Sequence, residues 1–320
     1  MSIRDLSPAQ LVPMVLEGNV RAGSRLMRFL DDRVEGSTEV LKDLFPHTGR
    51  ARIIGFTGNP GSGKSTLVNQ MVRHYRSQDL KVGVVCVDPS SPFSGGAILG
   101  DRIRMNSHAN DPDVFIRSLA TRGAMGGLSR STYDVVHVMD AMGYDLILVE
   151  TVGVGQDELD VMKLAETCVV IMVPGMGDDV QAIKAGILEV ADIFVVNKAD
   201  HPEVHRTIKD LRYLQSLLPQ AEGWEPPIHS TIATTGEGIE GLANHLSDHI
   251  DALRASENGL DTRNRARNEH VLMTILRANL SDRVEEEVKS AGEPLLDALV
   301  SRNVDPYEAA EELLQRIIQS

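Results

Sequence analysis

The segment Gly58–Thr66, with the sequence Gly-Asn-Pro-Gly-Ser-Gly-Lys-Ser-Thr, constrains the fold of this chain more than any other. It follows the apolar run Arg52–Thr57 and precedes Ser65–Arg76, whose apolar residues recur at helical spacing. A strand, a glycine-rich turn and a helix in this order match the phosphate-binding pattern G-x-x-x-x-G-K-[ST]. Glycines let the backbone turn tightly, so that successive N–H groups point at phosphate oxygens. The segment therefore predicts a nucleoside triphosphate site.

Each residue of this loop has an expected task. The predicted nucleotide contacts are Gly58, Asn59, Pro60, Gly61, Ser62, Gly63, Lys64, Ser65 and Thr66. Lys64 is expected to reach the β and γ phosphates, and Ser65 to offer its hydroxyl to Mg²⁺. The N-terminus of the following helix adds positive charge.

Short apolar runs alternate with helical segments through the middle of the chain. The predicted strands are Ile53–Phe56, Val82–Val87, Leu146–Val149, Val169–Val173 and Phe194–Val196, and the helices between them include Ser65–Arg76, Leu128–Met142 and Val204–Leu217. Nearly continuous apolar runs are typical of strands that are covered on both faces of a parallel sheet. We therefore predict an α/β fold with a doubly wound, mainly parallel sheet and ligands at the carboxyl ends of its strands.

Helical segments flank this region on both sides. We predict a helical extension over residues 1–48, a nucleotide-binding domain over 49–255 and a helical arm over 256–320. Within the arm, Asn264–Val288 and Pro306–Ile318 are predicted helices, separated by a break at Gly292 and Pro294. The arm could pack on a second copy of the chain, or its helices could fold back on their own sheet.

The base specificity is indicated by Asn197-Lys198-Ala199-Asp200, which directly follows a strand. In N-K-x-D the Asp200 carboxylate accepts hydrogen bonds from guanine N1–H and its exocyclic amine, a pairing that adenine cannot offer. Each unpaired buried group costs about 1–3 kcal/mol, so guanine is strongly preferred. Asn197 would tether the loops near the base, and the Lys198 stem would cover its face. Further along, Thr231, Ile232 and Ala233 stand where many GTPases have T-S-A.

Carboxylates at strand ends are candidate ligands for Mg²⁺, together with Ser65. Asp88 ends the second strand, and Asp101 follows a glycine-rich stretch. Glu150 opens Glu-Thr-Val-Gly, where most GTPases have D-x-x-G. Such residues hold Mg²⁺ directly or through water. The alternative is that each is an N-cap or turn residue.

Charge and cysteine usage exclude several classes of partner. The formal net charge is −14, which argues against nucleic acid or an anionic membrane as the main partner. The two cysteines, Cys86 and Cys168, lie in apolar runs and are expected to be buried thiols in a reducing cytosol. No signal peptide or membrane span is recognised, so a cytoplasmic location is expected.

Together these segments resemble one family, the GTPase chaperones of adenosylcobalamin-dependent acyl-CoA mutases, of the MeaB, MMAA and ArgK type. The resemblance rests on Gly58–Thr66, Val87–Pro92, Gly95–Met105, Glu150–Gln156, Pro174–Leu188 and Asn197–Asp200. It implies a GTPase that gates cobalamin loading or removal and protects the mutase. It also implies a homodimer formed by the C-terminal arm, and acidic magnesium and switch residues at Asp88, Asp101 and Glu150. A mobile third switch is implied at Gly177–Lys184.

The residue that orients the attacking water in Ras-like proteins, a Gln directly after D-x-x-G, is Val154 here, and Gln156 comes later. Hydrolysis is mostly positioning and charge stabilisation, so the expected basal rate is slow. We expect the partner to accelerate it, for example by bringing Lys184 to the phosphates beside Lys64 and Glu150.

Two other functions remain open from sequence. A GTPase that inserts nickel or another metal should carry a C-x-x-C, a Cys-His pair near the switch or a His-rich tract, and none is found. His201 and His205 have a spacing that can bind metal but no third ligand nearby, so a solvated helix start is favoured. A nucleotide-sensing scaffold with little turnover differs from a slow enzyme in few residues.

Overall fold

The computed structural model describes residues 2–88, 108, 110–120, 130–151, 163–175, 191–217, 224–257 and 259–319. The chain forms two compact units, Met1–Arg267 and Asn268–Ser320. The first unit contains a sheet and the helices around it, whereas the second is helical.

The first unit begins with three helices, α1 (Pro8–Leu16), α2 (Val20–Asp31) and α3 (Glu39–Leu44). The predicted helical start of the chain is thus confirmed. The later helices are α4 (Lys64–Arg76), α5 (Arg130–Ala141), α6 (Val204–Leu217), α7 (Ile239–Ala255), α8 (Gly259–Val300) and α9 (Pro306–Gln319).

Within the described ranges, seven parallel strands form one sheet. They are β1 (Arg52–Gly58), β2 (Val82–Asp88), β3 (Val114–Ala120), β4 (Leu146–Thr151), β5 (Thr167–Met172), β6 (Ile193–Asn197) and β7 (Ile228–Thr231). Their order is β3-β2-β4-β1-β5-β6-β7, and every neighbouring pair is parallel. The sheet winds outward from β1 in both directions, so the predicted doubly wound α/β fold is confirmed.

The strands were predictable where both faces are buried. Every described residue of β4, β5 and β6 is buried, which matches their continuous apolar runs. The strand β3 was not predicted, because Arg117 and Ser118 interrupt its apolar residues. It lies at the edge of the sheet, where its first five residues are only half-buried.

Helices α4 and α7 cover one face of the sheet and build the main core with it, including Phe56, Leu67, Val195 and Leu242. The N-terminal helices pack on α5 instead. A Cβ at Gly23 would lie 2.3 Å from Met142 Sδ, so α2 approaches the end of α5 very closely. The Asp140 carboxylate on α5 accepts the backbone N–H groups of Gly49 and Ala51, at 2.5 and 3.0 Å. These contacts fix the extension to the sheet domain.

The second unit consists of the larger part of α8 and the whole of α9. The break predicted at Gly292 and Pro294 is wrong, because α8 continues through both residues. A proline removes one intrahelical hydrogen bond and strains the preceding turn, but a long helix can absorb that cost. Asp305 Oδ1 accepts the N–H groups of Tyr307 and Glu308 at 2.7 and 3.1 Å, so Asp305 is the N-cap of α9.

Two further observations concern the cysteines and the helices. Cys86 and Cys168 are both buried free thiols, as predicted. None of the helices within the described ranges combines the length and the apolar character that a membrane span requires.

Candidate functional site

The carboxyl ends of the parallel strands meet at one edge of the sheet. Gly58 ends β1, Glu150 precedes the last residue of β4, Asn197 ends β6 and Thr231 ends β7. Because β1 is flanked by β4 on one side and β5 on the other, this edge contains the point at which the strand order reverses. Ligands of doubly wound sheets bind at such a point.

The loop between β1 and α4 depends on glycine at two positions. Gly58 has φ of 144°, and a Cβ there would lie 2.1 Å from the carbonyl oxygen of Ile171 on the neighbouring strand. Gly63 has φ of 86°, and its Cβ would lie 2.5 Å from Asn197 Nδ2. A side chain at either position would therefore displace β5 or the Asn197 amide. The loop backbone has the left-handed turns that a phosphate cradle requires.

Lys64, the first residue of α4, is buried, with 6% of its surface exposed. Its Nζ donates to the carbonyl oxygens of Gly58 and Asn59, at 2.6 and 3.0 Å. The ammonium group thus lies against the loop that precedes it rather than in solvent. A positive charge is fixed at the loop, beside the helix N-terminus that also favours anions.

Ser65 and Glu150 are directly joined across the site. The Ser65 hydroxyl donates to Glu150 Oε1 at 2.6 Å, and Glu150 is buried, with 3% of its surface exposed. Next to them, Thr151 Oγ1 donates to Thr57 Oγ1 at 3.2 Å, linking the ends of β4 and β1. A hydroxyl beside a carboxylate is an all-oxygen donor set of the type that Mg²⁺ prefers. The residues present therefore fit a magnesium ion.

Asn197 connects three loops that are far apart in sequence. Its Nδ2 donates to the Ser62 carbonyl at 2.8 Å, and its Oδ1 accepts from Thr231 Oγ1 and from Ala233 N–H, both at 3.1 Å. Asn197 is 2% exposed, so these partners satisfy a buried amide. The tether expected from the N-K-x-D pattern is present in the structure.

Lys198 and Asp200 follow on the solvent side of this tether. Lys198 has φ of 57°, which is uncommon for a residue with a side chain, and its Nζ donates to the Gly61 carbonyl at 2.9 Å. The Lys198 stem therefore extends from the base loop to the phosphate loop. Asp200 lies in the following turn with its side chain exposed, where it is free to meet a ligand.

The segment Thr231–Ala233 is held in place by contacts that the sequence did not reveal. Ile232 N–H donates to the Glu237 carbonyl at 3.0 Å and closes a short loop. Gln70 on α4 donates its side-chain amide to the Ala233 carbonyl at 2.9 Å. Nothing in the sequence marks a glutamine in the middle of a helix as the partner of a residue 163 positions away.

Several predicted site residues lie outside the described residues. These are Asp101, Lys184, the side chain of Asp88, and the segments that contain Val154, Gln156 and Gly177–Lys184. Of the metal candidates, the structure therefore brings together Ser65 and Glu150. The backbone of Asp88 ends β2, two strands from β1 at the same edge of the sheet.

The described ranges contain no group of three or more His, Cys, Asp and Glu side chains that could hold a metal ion. His201 and His205 are both exposed, and α6 begins only at Val204, between them. The expectation of solvated histidines at a helix start is confirmed.

Comparisons with known proteins agree with this geometry. The family model described as "Methylmalonyl Co-A mutase-associated GTPase MeaB" matches residues 25–289. A protein of Pyrococcus abyssi described as a GTPase is 44% identical over 313 residues, which cover 97% of this chain and 96% of the relative. GTPase ArgK of Escherichia coli is 38% identical over 225 residues, covering 69% of this chain and 68% of ArgK.

Two further similarities cover less of the relative or have a lower sequence identity. The mouse protein named "Methylmalonic aciduria type A homolog, mitochondrial" is 36% identical over 207 residues, covering 63% of this chain and 50% of that protein. The crystal structure of a LAO/AO transport system kinase superposes with a TM-score of 0.72, covering 100% of both chains at 24% identity, and so supports the fold. The family match spans most of the chain, and the Pyrococcus abyssi protein and ArgK are named as GTPases. This chain therefore belongs to the MeaB family of GTP-hydrolysing P-loop proteins.

Proposed function

We propose that this protein is a magnesium-dependent GTPase that binds an adenosylcobalamin-dependent acyl-CoA mutase and gates the loading or removal of its cobalamin. The observation that carries the nucleotide part is the Asn197 tether, which joins the phosphate loop to the guanine loops in one site. The family description, which names methylmalonyl-CoA mutase, supports the partner.

In the proposed site, the phosphates are bound by the loop amides of Gly58–Thr66 and by the Lys64 ammonium. Lys64 would leave the carbonyls of Gly58 and Asn59 for the phosphate oxygens. Asp200 would accept from guanine, and Thr231–Ala233 would close the base pocket. Ser65 and Glu150 would hold Mg²⁺, together with Asp88 and Asp101. Bound there, the ion would neutralise charge on the phosphate oxygens.

The proposed enzyme is slow until its partner binds. Val154 stands at the position where Ras-like proteins orient the attacking water with glutamine, so water positioning is incomplete in the isolated chain. The partner would complete it by bringing Lys184 to the phosphates. Slow hydrolysis would then time the interaction with the mutase.

The proposed domain division is an extension over residues 1–48, a GTPase domain over 49–255 and an arm over 256–320 that forms a homodimer. Support for the dimer comes from α8, where Leu272, Leu276, Leu280 and Val284 recur every fourth residue and are each at least 42% exposed. Apolar residues at this spacing lie along one side of a helix. A row of exposed apolar side chains is typical of an interaction surface.

The test is single-turnover GTP hydrolysis with and without candidate mutases that use methylmalonyl-CoA, isobutyryl-CoA or 2-hydroxyisobutyryl-CoA. The proposal predicts that one mutase raises the rate and co-purifies with the GTPase. Lys64→Ala should abolish turnover with and without the mutase while the protein stays folded. If none of the mutases binds or changes the rate, the partner is wrong, although the GTPase itself would stand.

A further inference from the structure

A second cleft opens at the edge of the sheet opposite the nucleotide site. It has a volume of about 540 Å³ and lies where β1, β4 and β5 begin and where α4 and α7 end. Arg52 is the first residue of β1, and Gly58 is the last. At about 3.3 Å per residue, the cleft is about 20 Å from the phosphate loop, so it does not belong to the nucleotide site.

The cleft concentrates positive charge in an acidic protein. Its lining includes three arginines, Arg50, Arg52 and Arg254, against a single acid, Asp145. The whole chain, by contrast, has a formal net charge of −14. Like charges gathered in a concave site focus the local potential and attract ions of the opposite sign.

The cationic groups of the cleft are not used up by internal ion pairs. Among the described residues, neither Arg50 nor Arg52 has a side-chain hydrogen bond or an ion pair. Arg254 has only an exposed contact with Asp251 at 3.6 Å. The Asp145 carboxylate accepts the Lys81 backbone N–H at 2.7 Å, so part of its capacity is already engaged.

Neutralising the end of a neighbouring helix accounts for one of these arginines but not for the other two. Arg254 is in the last turn of α7, where a cation offsets the helix dipole. Arg50 and Arg52 come instead from the segment that enters the sheet and from the start of β1. Alternation along β1 places Arg52 on the side of Ile54 and Phe56, which belong to the core under α4 and α7.

Polar atoms contribute most of the exposed surface of the cleft, and four residues of the core contribute a small apolar part. Ile54, Tyr75, Leu146 and Leu246 line the cleft and continue into the main core. Burial raises the pKa of Tyr75 to about 12, although the nearby charge of Arg52 opposes the rise. The Tyr75 phenol is therefore neutral and available as a hydrogen-bond donor. Arginines beside a small apolar patch suit a molecule with an anionic group and a small organic body.

We propose that this cleft, which we call the basal cleft, binds a small organic phosphate. Arg50 and Arg52 hold the phosphate oxygens, with Arg254 approaching from the opposite wall. The planar guanidinium group presents paired N–H donors that match phosphate, and a dianion balances two arginines. The organic body lies against Tyr75 and Leu246.

The experiment is a calorimetric titration of the full chain with phenyl phosphate, after the nucleotide site has been saturated with GDP and Mg²⁺. Saturation removes the phosphate loop as a competing site. We expect one bound phenyl phosphate per chain, displaced by inorganic phosphate and bound about tenfold more tightly than benzoate, which carries one charge on the same ring.

Variants locate the binding. Arg50→Gln and Arg52→Gln should each lower the affinity for phenyl phosphate by about tenfold without changing GDP affinity or GTP turnover. Asp145→Asn keeps an acceptor for Lys81 N–H but removes the opposing charge, so it should tighten binding. Arg212→Gln, on the exposed side of α6, is the matched control and should change nothing.

The outcomes that overturn the proposal are equally definite. An absence of phenyl phosphate binding by GDP-saturated protein would remove the site. Equal affinity for benzoate would show that phosphate is not the recognised group. Equal weakening by Arg212→Gln would reduce the effect to overall charge. None of these results bears on GTP hydrolysis, because the nucleotide site is occupied throughout.

Discussion

Asn197 Nδ2 donates to the Ser62 carbonyl at 2.8 Å and so joins two loops that are 135 residues apart. The same side chain accepts from Thr231 Oγ1 and Ala233 N–H. The two loops that we propose to bind the phosphates and the base thus share one buried amide. Loss of the Asn197 amide should therefore disturb both halves of the site.

Replacing Asn197 tests that dependence. Asn197→Ala leaves the Ser62 carbonyl, the Thr231 hydroxyl and the Ala233 N–H without their partner, and each such group costs about 1–3 kcal/mol. We expect the free energy of unfolding to fall by about 3 kcal/mol and GDP affinity to fall more than tenfold. Urea denaturation and calorimetry measure the two. Thr231→Val removes only one donor and should have a smaller effect; equal effects of the two variants would contradict the shared tether.

Asp200 should determine the base. Asp200→Asn replaces two acceptor oxygens by an amide, which cannot accept from both N1–H and the exocyclic amine of guanine. We predict that GDP affinity falls by about a hundredfold while xanthosine diphosphate, which has a carbonyl in place of the amine, binds better than GDP. Competition binding with the two nucleotides measures this. An unchanged preference for GDP would show that Asp200 does not contact the base.

Glu150 should govern the magnesium dependence. Glu150→Gln keeps an acceptor for the Ser65 hydroxyl but removes a buried charge beside it. The Mg²⁺ concentration needed for half-maximal GTP turnover should rise about tenfold, while GDP binding without Mg²⁺ should change little. Glu240→Gln removes an exposed acid from the first turn of α7 and serves as the control. A Glu150→Gln enzyme with wild-type Mg²⁺ dependence would refute this role.

The start of α8 is fixed to the sheet by a buried charge cluster. Arg263 Nη1 donates to Asp192 Oδ1 at 2.9 Å, and His249 Nε2 lies 3.3 Å from the same carboxylate oxygen. Burial alone would raise the pKa of Asp192, but the hydrogen bond from His249 and the charge of Arg263 outweigh it, so the pKa is lowered. The ionised carboxylate is the form that stabilises the fold.

Removing either side of this cluster should therefore destabilise the protein in a pH-dependent way. Arg263→Ala removes the guanidinium partner of the buried Asp192 carboxylate, which keeps His249 and the Cys168 N–H, and should cost about 3 kcal/mol at pH 7. The exposed Arg265→Ala should cost little. Because the folded pKa of Asp192 is depressed, its contribution is present above the unfolded value near 3.9 and is lost as pH falls through the folded value. The midpoint temperature of thermal unfolding should thus fall more steeply below about pH 4 for the wild type than for Asp192→Asn. Parallel curves of midpoint temperature against pH for the two proteins would contradict this.

The phosphate loop, the central strands and the Asn197 tether could be predicted because their signals are local. A glycine pattern after an apolar run fixes the loop, and N-K-x-D fixes the tether, with little dependence on the rest of the chain. The contact of Gln70 with Ala233 and the cluster around Asp192 could not be predicted. Each depends on side chains brought together only by the finished fold.

The edge strand β3 and the unbroken course of α8 were not predicted either. The edge strand β3 carries Arg117 and Ser118, because one side of an edge strand does not have to be apolar. The break predicted in α8 assumed that Pro294 ends a helix, but its neighbours continue the helix to Val300.

The central claim is that one site grips a triphosphate and selects guanine. Calorimetric titration of the nucleotide-free chain with GDP and with ADP, in the presence of Mg²⁺, tests it most directly. The account predicts one GDP per chain, at least a hundredfold tighter than ADP, because adenine leaves the Asp200 carboxylate unpaired. Equal affinities, a preference for ADP or no binding of either nucleotide would contradict it.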